Sequence, residues 1–219
     1  WDETQSGENK IKNGSFEAGI QGIGLFSNSR TRGLQESLDN SEAWDGRFSL
    51  KLVVTNGELL QLITKPITVP RNRTFVGSVR IKSTASNTVT VRWTNTFSFT
   101  NLVGFGLPNT VGATTVGTSS SNWLRFAATN RALDYPVPDY NIMFQIQGGT
   151  GTGRSTNWID GMMFADSTTT NYTAASPIEL SMWTTNDAHI YYPDESPSIP
   201  VMIHNSSTGS LSGTIKVRS

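Results

Sequence analysis

Residues 74–83 read Thr-Phe-Val-Gly-Ser-Val-Arg-Ile-Lys-Ser. Apolar and polar side chains alternate along this stretch, and a period of two is typical of a β-strand with one buried face. The apolar positions are Phe75, Val79 and Ile81. The polar positions are Ser78, Arg80 and Lys82. Residues 74–83 are therefore predicted to form a strand of a sheet whose other face meets water.

Similar stretches recur along the chain between turn residues. We expect further strands over residues 49–55, 58–69, 88–93, 123–129, 140–147 and 157–164, and shorter ones over 178–183, 190–192, 199–204 and 211–217. Residues 95–122 are either a long loop or a short strand pair at one edge. No segment has a sustained apolar period of 3.6 residues. Many short strands joined by turns predict an all-β fold, a sandwich of the jelly-roll type.

Composition supports strands and excludes several classes of function. Ser, Thr and Asn number 25, 28 and 17, and these residues disfavour helix interiors. Lys plus Arg and Asp plus Glu are both 17, so the net charge gives no electrostatic reason to expect nucleic-acid binding or adhesion to anionic membranes. There is no cysteine, which excludes disulfides and thiolate metal sites. No apolar run reaches the roughly 18 residues of a spanning helix.

The chain divides into four parts by pattern. Residues 1–10 are polar and predict a flexible lead-in, residues 11–166 the sandwich, residues 167–176 a Thr-rich linker, and residues 177–219 a small, incomplete β domain. The start at Trp1 predicts a removed signal peptide or an excised piece, and the composition favours a secreted, extracellular or cell-surface protein. An incomplete sheet predicts that the natural chain continues, or that another chain completes it.

Three motifs carry a resemblance to a known family. They are Ile-Lys-Asn-Gly-Ser-Phe-Glu at 11–17, Trp-Asp-Gly-Arg-Phe-Ser-Leu-Lys-Leu at 44–52, and Trp-Ile-Asp-Gly-Met-Met-Phe at 158–164. In order and spacing they resemble the opening strand, a second strand and the closing strand of carbohydrate-binding modules of families 4, 9 and 22. Those modules are jelly-roll sandwiches found beside glycoside hydrolase domains. Residues 194–217 resemble the first half of an immunoglobulin-like accessory domain.

The resemblance implies a structural calcium ion. In these modules the Glu of the opening strand and the Asp of the closing strand meet beside calcium, which here names Glu17 and Asp160. Backbone carbonyls between Gly46 and Ser49 would complete the ligand set, with Asp45 as a further candidate. Ca²⁺ takes six to eight oxygen ligands and accepts carbonyls. The alternative is that the two carboxylates cap turns or pair with arginine.

The resemblance also implies a glycan-binding sheet face. Polar positions alternate with apolar ones in three predicted strands, and we expect these polar side chains to share one outer face. They are Arg80, Arg92, Gln145 and Gln147, with Trp44 and Tyr140 as candidate aromatics for stacking on a sugar ring. The alternative is an ordinary polar sheet face in water.

Non-catalytic binding of a polysaccharide or glycan is the predicted function, as a tether for a secreted enzyme or surface protein. Hydrolysis needs two carboxylates across a cleft. The local groups Asp39/Glu42/Asp45 and Asp134/Asp139 lie in turn-like segments, where solvated loop charge is the better interpretation. The alternative function is a structural subunit of an extracellular filament, surface layer or phage tail fibre, which would join neighbouring subunits through the open edge of its C-terminal sheet.

Overall fold

The structure is a computed structural model that describes residues 9–20, 23–27, 36–55, 58–70, 73–85, 87–95, 113–116, 122–131, 139–148, 153–166, 171–175, 177–182 and 200–214. Its strands are β1 Ile23–Ser27, β2 Glu36–Asp39, β3 Ser49–Thr55, β4 Leu59–Thr64, β5 Ile67–Thr68, β6 Thr74–Ser83, β7 Asn87–Asn95, β8 Ala113–Val116, β9 Leu124–Arg131, β10 Asp139–Gly148, β11 Arg154–Asp166, β12 Ile178–Met182 and β13 Val201–Asn205. Within these ranges no helix is long and apolar enough to cross a membrane.

Two antiparallel sheets and a hairpin make up the described fold. The first sheet has the order β1-β4-β10-β7-β8, with β5 paired to β10. The second sheet has the order β2-β3-β11-β6-β9, and β12 pairs with β13 alone. Most neighbours in these two sheets are distant in sequence, as is usual in sandwich topologies. The predicted all-β sandwich is confirmed.

The core lies between the two sheets and follows the alternation of each strand. In β6 the predicted apolar positions Phe75, Val79 and Ile81 are all buried. The facing sheet contributes Leu60, Leu62, Val89, Val91, Ile142, Phe144 and Ile146 to the same cluster. Each fully buried side chain of this size stabilises the fold by about 1.5–3 kcal/mol relative to an exposed one.

Several predicted strand boundaries differ from the structure. The stretch 58–69 is two strands, β4 and β5, separated at Lys65 and Pro66, because proline cannot donate a ladder hydrogen bond. The expected opening strand at 11–17 is instead a series of turns, in which Asn13 and Phe16 have φ of 52° and 61°. Strands β1 and β2 were not predicted, and β8 lies inside the ambiguous stretch 95–122.

The last two residues of the predicted lead-in belong to the sandwich. Asn9 is buried, and its side-chain amide donates to the Met162 carbonyl at 3.1 Å while its Oδ1 accepts from the Phe164 backbone amide at 3.0 Å. The Lys10 amide donates to the Phe164 carbonyl at 2.7 Å. The N-terminal segment therefore fastens to β11 before the first strand begins.

The C-terminal segment also packs on the sandwich. Tyr172 covers a small apolar cluster on the outer side of the second sheet, formed by Val76, Met163 and Ala165. Part of the predicted linker is thus in contact with the sheet. The tail has one two-stranded sheet in its described residues, and 211–214 are not in a strand. The predicted strand at 190–192 and residues 215–217 lie outside the described residues, and the immunoglobulin-like resemblance stays a prediction.

Candidate functional site

The turn between β2 and β3 is built around the Glu17 carboxylate. Oε1 of Glu17 accepts hydrogen bonds from the backbone amides of Arg47 and Phe48, at 2.7 and 2.6 Å. Gly46, with φ of 68°, lets the backbone wrap around that oxygen. Because Glu17 sits in the turns of the N-terminal segment, its carboxylate joins this segment to the β2–β3 turn.

Asp160 holds the same turn from the other side. Its Oδ2 accepts from the backbone amides of Trp44 and Asp45 at 2.8 and 3.0 Å, and its Oδ1 accepts from the Gly161 amide at 2.6 Å. The register of β11 against β6 shifts between Asp160 and Met163, which marks a β-bulge. The bulge and these three amides keep the buried Asp160 side chain beside the turn.

The C-terminal hairpin brings two more ionisable side chains to this place. Glu179 and His204 lie directly opposite each other in β12 and β13. Oε2 of Glu179 accepts from the Ser15 hydroxyl at 3.3 Å, and Nδ1 of His204 lies 3.4 Å from Oε2 of Glu17. Glu17, Asp45, Asp160 and Glu179 together are called the acid cluster below. It joins four parts of the chain that are far apart in sequence.

Burial and mutual repulsion disfavour ionisation of three members of the acid cluster, Asp45, Asp160 and Glu179. Burial raises the pKa of Asp160 to about 7, although its three backbone donors oppose the shift. Burial, with the charges of Glu17 and Asp45 nearby, raises the pKa of Glu179 to about 7. The pKa of Asp45 is also raised, by burial and then by Glu17. The cluster therefore favours an added proton or another positive charge.

The predicted calcium ligands are only partly brought together as donors. Glu17, Asp45, Gly46 and Asp160 meet at one turn, but one Glu17 oxygen and both Asp160 oxygens already face backbone N–H groups. The Ser49 hydroxyl donates to the Glu42 carbonyl at 2.5 Å. Among the described residues no three His, Asp or Glu side chains are placed to hold a metal ion. Calcium here would need main-chain carbonyls, and it stays a prediction.

One buried oxygen of the cluster is chemically suited to a cation. Oε1 of Glu179 is buried and has no hydrogen-bond partner. A buried carboxylate oxygen without a donor is costly unless a proton or a metal ion satisfies it. Sequence analysis missed Glu179, because nothing in the sequence of the tail predicts that it packs against Ser15.

The expectation that Arg80, Arg92, Gln145 and Gln147 share one face is wrong for Arg80. Arg80 is in β6 of the second sheet, whereas Arg92 in β7 and both glutamines in β10 are in the first sheet. The outer faces of the two sheets of a sandwich point in opposite directions. Alternation gives the buried side of each strand, but it does not say which sheet a strand joins.

Four residues occupy directly opposite positions across four neighbouring strands of the first sheet. Phe26 pairs with Gln61, Gln61 with Gln145, and Gln145 with Thr90. Gln61 is half-buried and alternates with the buried Leu60 and Leu62. Sequence analysis missed Phe26 and Gln61, although the alternation within residues 58–69 could have found the second. This row of Phe26, Gln61, Gln145 and Thr90 is called the polar row below.

Arg92 and Gln147 share the register parity of the polar row, whereas Tyr140 and Trp44 do not. Arg92 pairs with Met143, one step along from the polar row, and Gln147 pairs with Leu59 and Thr88. Tyr140 pairs with Asn95 and Ile67. Along β10 it is an even number of residues from the buried Ile142 and Phe144, so its position is on the core face of the strand. Trp44 lies on the second sheet, where the Arg80 guanidinium is 4.4 Å from its ring centroid.

Comparison with known proteins finds similarity in structure but not in sequence. No protein-family model and no curated protein sequence matches the chain. A family 61 carbohydrate-binding module in complex with β-1,4-galactotriose superposes with a TM-score of 0.51 at 14% identity, over 72% of this chain and 98% of that one. The enzymatically active domain of tailspike protein 4 from bacteriophage CBA120 gives 0.53 at 13%, over 72% and 21%.

An arabinose-bound α-L-arabinofuranosidase gives a TM-score of 0.51 at 13% identity, over 72% of this chain and 26% of that one. The chain thus spans nearly all of the binding module and about a fifth and a quarter of the two larger proteins. Both binding modules and enzymes occur among these neighbours. At these identities the likeness concerns the fold alone, and the described sandwich has the same fold as the family 61 module.

Proposed function

We propose that this protein is a non-catalytic carbohydrate-binding domain that tethers a secreted enzyme or surface protein to a polysaccharide. The polar row of the first sheet carries the proposal. It sets two glutamines, a threonine and a phenylalanine at adjacent register positions across four antiparallel strands. Amide and hydroxyl groups exchange hydrogen bonds with sugar hydroxyls, and an aromatic ring packs on the C–H face of a sugar.

The fold supports the same function. The family 61 module that shares the sandwich is described with a bound galactotriose. A preformed sheet needs little ordering on binding, so a few hydrogen bonds and one stacking contact are enough for affinities of about micromolar to millimolar. Discrimination between sugars would then come from which hydroxyls meet Gln61 and Gln145.

The contacts of Asp39, Glu42 and Asp45 disfavour a catalytic role for these carboxylates. Asp39 forms an ion pair with Lys51 at 2.8 Å, and Glu42 forms one with Lys82 at 2.6 Å. Asp45 lies in the acid cluster. An acid and a nucleophile or base must face a substrate from two sides of a cleft. The Asp39/Glu42/Asp45 group is instead divided between ion pairs and the β2–β3 turn, which fits a binding domain.

Calcium is part of the proposal as a structural ion. Glu17 and Glu179 would hold it together with main-chain carbonyls of the β2–β3 turn, because Ca²⁺ accepts such mixed oxygen sets. The ion would supply positive charge to the acid cluster and link the N-terminal segment, the turn and the tail. It would have no part in contact with the glycan.

A panel of neutral and acidic polysaccharides, in calcium and again in EDTA, tests the binding function. We expect at least one polysaccharide to bind, and Gln61→Ala and Gln145→Ala each to weaken binding about tenfold. Thr129→Ala, at an exposed position of β9 in the other sheet, is the matched control and should change nothing. A folded protein that binds no polysaccharide would refute the proposal.

Assembly through the tail is the second candidate function. One face of the β12–β13 hairpin carries Glu179 and His204 toward the sandwich, and the other exposes Leu180, Val201 and Ile203, of which Ile203 is 58% exposed. Exposed apolar side chains on a short sheet suit contact with a neighbouring subunit. Sizing by light scattering decides, because a structural subunit should associate and Ile203→Lys should return it to monomers.

A further inference from the structure

A basic and aromatic surface lies on the outer side of the second sheet. Its residues are Trp44, Lys51, Arg80, Lys82, Arg125 and Trp158, called the basic face below. Pairing makes it continuous: Trp158 is opposite Lys51 on one side and Lys82 on the other, and Arg80 is opposite Arg125. Tyr172 covers the neighbouring part of this sheet over Val76, Met163 and Ala165, and its ring meets Trp44 edge-on with 5.7 Å between the ring centroids, so the described tail borders the basic face at Trp44.

Arg80 and Arg125 form an unfavourable pair. Like charges directly opposite each other in an antiparallel sheet destabilise it. Burial, and then the charge of Arg80, lowers the pKa of Arg125. Asp160 is the cross-strand neighbour of Arg80 on the other side, but its oxygens accept from backbone amides. No ion pair joins either arginine to a carboxylate in the described residues.

The aromatic rings of the basic face are held by cations. The Arg80 guanidinium stacks on Trp44 with 4.4 Å to the ring centroid, and both Lys51 and Lys82 lie 5.8 Å from the ring of Trp158. A Cβ at Gly161 would lie 2.8 Å from the Trp44 ring, so the bulge in β11 supports that ring from below. Cation–π contacts fix both ring planes without using the arginine N–H donors.

The basic face has a local excess of positive charge in a chain of zero net charge. Asp39 and Glu42 pair with Lys51 and Lys82, whereas Arg80 and Arg125 have no carboxylate ion-pair partner among the described residues. An arginine fork binds carboxylate and sulfate groups through two parallel hydrogen bonds. Two adjacent forks beside the Trp158 ring suit a repeating anion that carries sugar rings.

We propose that the basic face binds an anionic polysaccharide, with a carboxylate or sulfate group held between Arg80 and Arg125. This surface is on the opposite side of the sandwich from the polar row, so the chain would have two separate carbohydrate contacts. The anion would relieve the repulsion between the two arginines, and Trp158 would supply the adjoining apolar contact. Single-stranded nucleic acid has related chemistry, but the carbohydrate-binding fold favours the polysaccharide.

Binding of polygalacturonate, heparin, neutral β-1,4-galactan and oligo-dT, measured by calorimetry at two salt concentrations, tests this. We expect polygalacturonate or heparin to bind, more weakly at high salt. Arg125→Gln and Arg80→Gln should each weaken binding about tenfold, because each removes a charged hydrogen-bonding partner. Polygalacturonate without heparin would assign the ligand group as carboxylate, and the reverse would assign it as sulfate.

The controls separate charge, fold and the other surface. Arg73→Gln removes an equal charge from an exposed arginine that pairs with Asp166, and it should change affinity less than twofold. Arg125→Lys keeps the charge without the fork and should restore only part of the affinity. Arg125→Gln should not lower the melting temperature, since it removes a repulsion. Galactan binding lost in Gln61→Ala but kept in Arg125→Gln would show that the two surfaces act independently.

Three results would overturn the proposal. The first is that the wild type binds neither anionic polysaccharide. The second is that a double variant, Arg80→Gln with Arg125→Gln, binds them as well as the wild type does. The third is that oligo-dT binds more tightly than either polysaccharide and is lost in the same variants, which would assign the basic face to nucleic acid. None of these results depends on the polar row.

Discussion

A Cβ atom added to Gly46 would lie 2.5 Å from both Cδ and Oε1 of Glu17. The close approach exists because Oε1 of Glu17 accepts from the two backbone amides that follow Gly46. A carboxylate from the N-terminal turns thus fills the space that any other side chain at position 46 would occupy. The β2–β3 turn and Glu17 therefore form a single packed unit.

Gly46→Ala should destabilise the fold by about 2–4 kcal/mol, the sum of a left-handed φ in a non-glycine residue and of overpacking against Glu17. The measurement is the free energy of unfolding in urea. Gly153→Ala is the matched control, because Gly153 has nearly the same φ, 66° against 68°, but nothing within 4 Å of its added Cβ. Equal losses in the two variants would show that the space beside Glu17 is unimportant.

Asp160→Ala should cost about 3 kcal/mol, because three backbone N–H groups at the turn and the bulge lose their acceptor. The size of the loss depends on pH, because the stability of the wild type depends on the protonation of Asp160. Chemical unfolding at one pH measures it. Asp166→Ala, at a more exposed carboxylate paired with Arg73, should cost about 1 kcal/mol or less. A loss at Asp160 no larger than at Asp166 would contradict the account of the turn.

Strands could be predicted where the alternating apolar residues of the sequence are also the residues buried in the core. Strands β3 and β6 have the predicted bounds, because alternating apolar residues there all reach the core. Strand β2 was missed, and its side chains Glu36, Ser37, Leu38 and Asp39 are exposed or half-buried, so it has no apolar face to detect. The motif at 11–17 suggested a strand, but its residues Asn13 and Phe16 have left-handed φ values in turns.

The site was predictable only in part, because it depends on contacts between distant segments. Glu17 and Asp160 do meet at the turn near Asp45 and Gly46, as the motif resemblance implied. Their partners are backbone amides, which a sequence does not assign. Arg80 was placed with Gln145 on one face because a period of two carries no information about sheet membership. Glu179 and Gln61 were missed for the same reason, because their roles depend on which segments of the chain they lie against, and the sequence pattern does not show this.

Asn87→Ala should cost about 2–3 kcal/mol, because a buried hydrogen bond between the sheets is lost and partners are left unsatisfied. The side-chain amide of Asn87 in β7 donates to Oδ1 of Asn157 in β11 at 2.8 Å and to the Ser83 hydroxyl at 2.9 Å. The thermal midpoint measures the effect. Asn205→Ala, whose hydrogen bonds lie in an exposed turn, should cost about 1 kcal/mol or less. A neutral Asn87→Ala would mean that water replaces the network.

Stability without calcium should fall as the pH rises from about 4 to about 7. The folded state raises the pKa of Asp160 from 3.8 and of Glu179 from 4.5, each to about 7, so it binds more protons than the unfolded state in this window. Glu179→Gln should flatten the profile and stabilise the protein at pH 8 by roughly 1–3 kcal/mol.

Calcium favours the ionised carboxylates, so 1 to 10 mM calcium, roughly, should raise the melting temperature more at pH 8 than at pH 5. Melting curves in EDTA and in calcium across this range measure both effects. A profile in EDTA that rises between pH 4 and 7, or stays flat, would show that the acid cluster is solvated rather than buried.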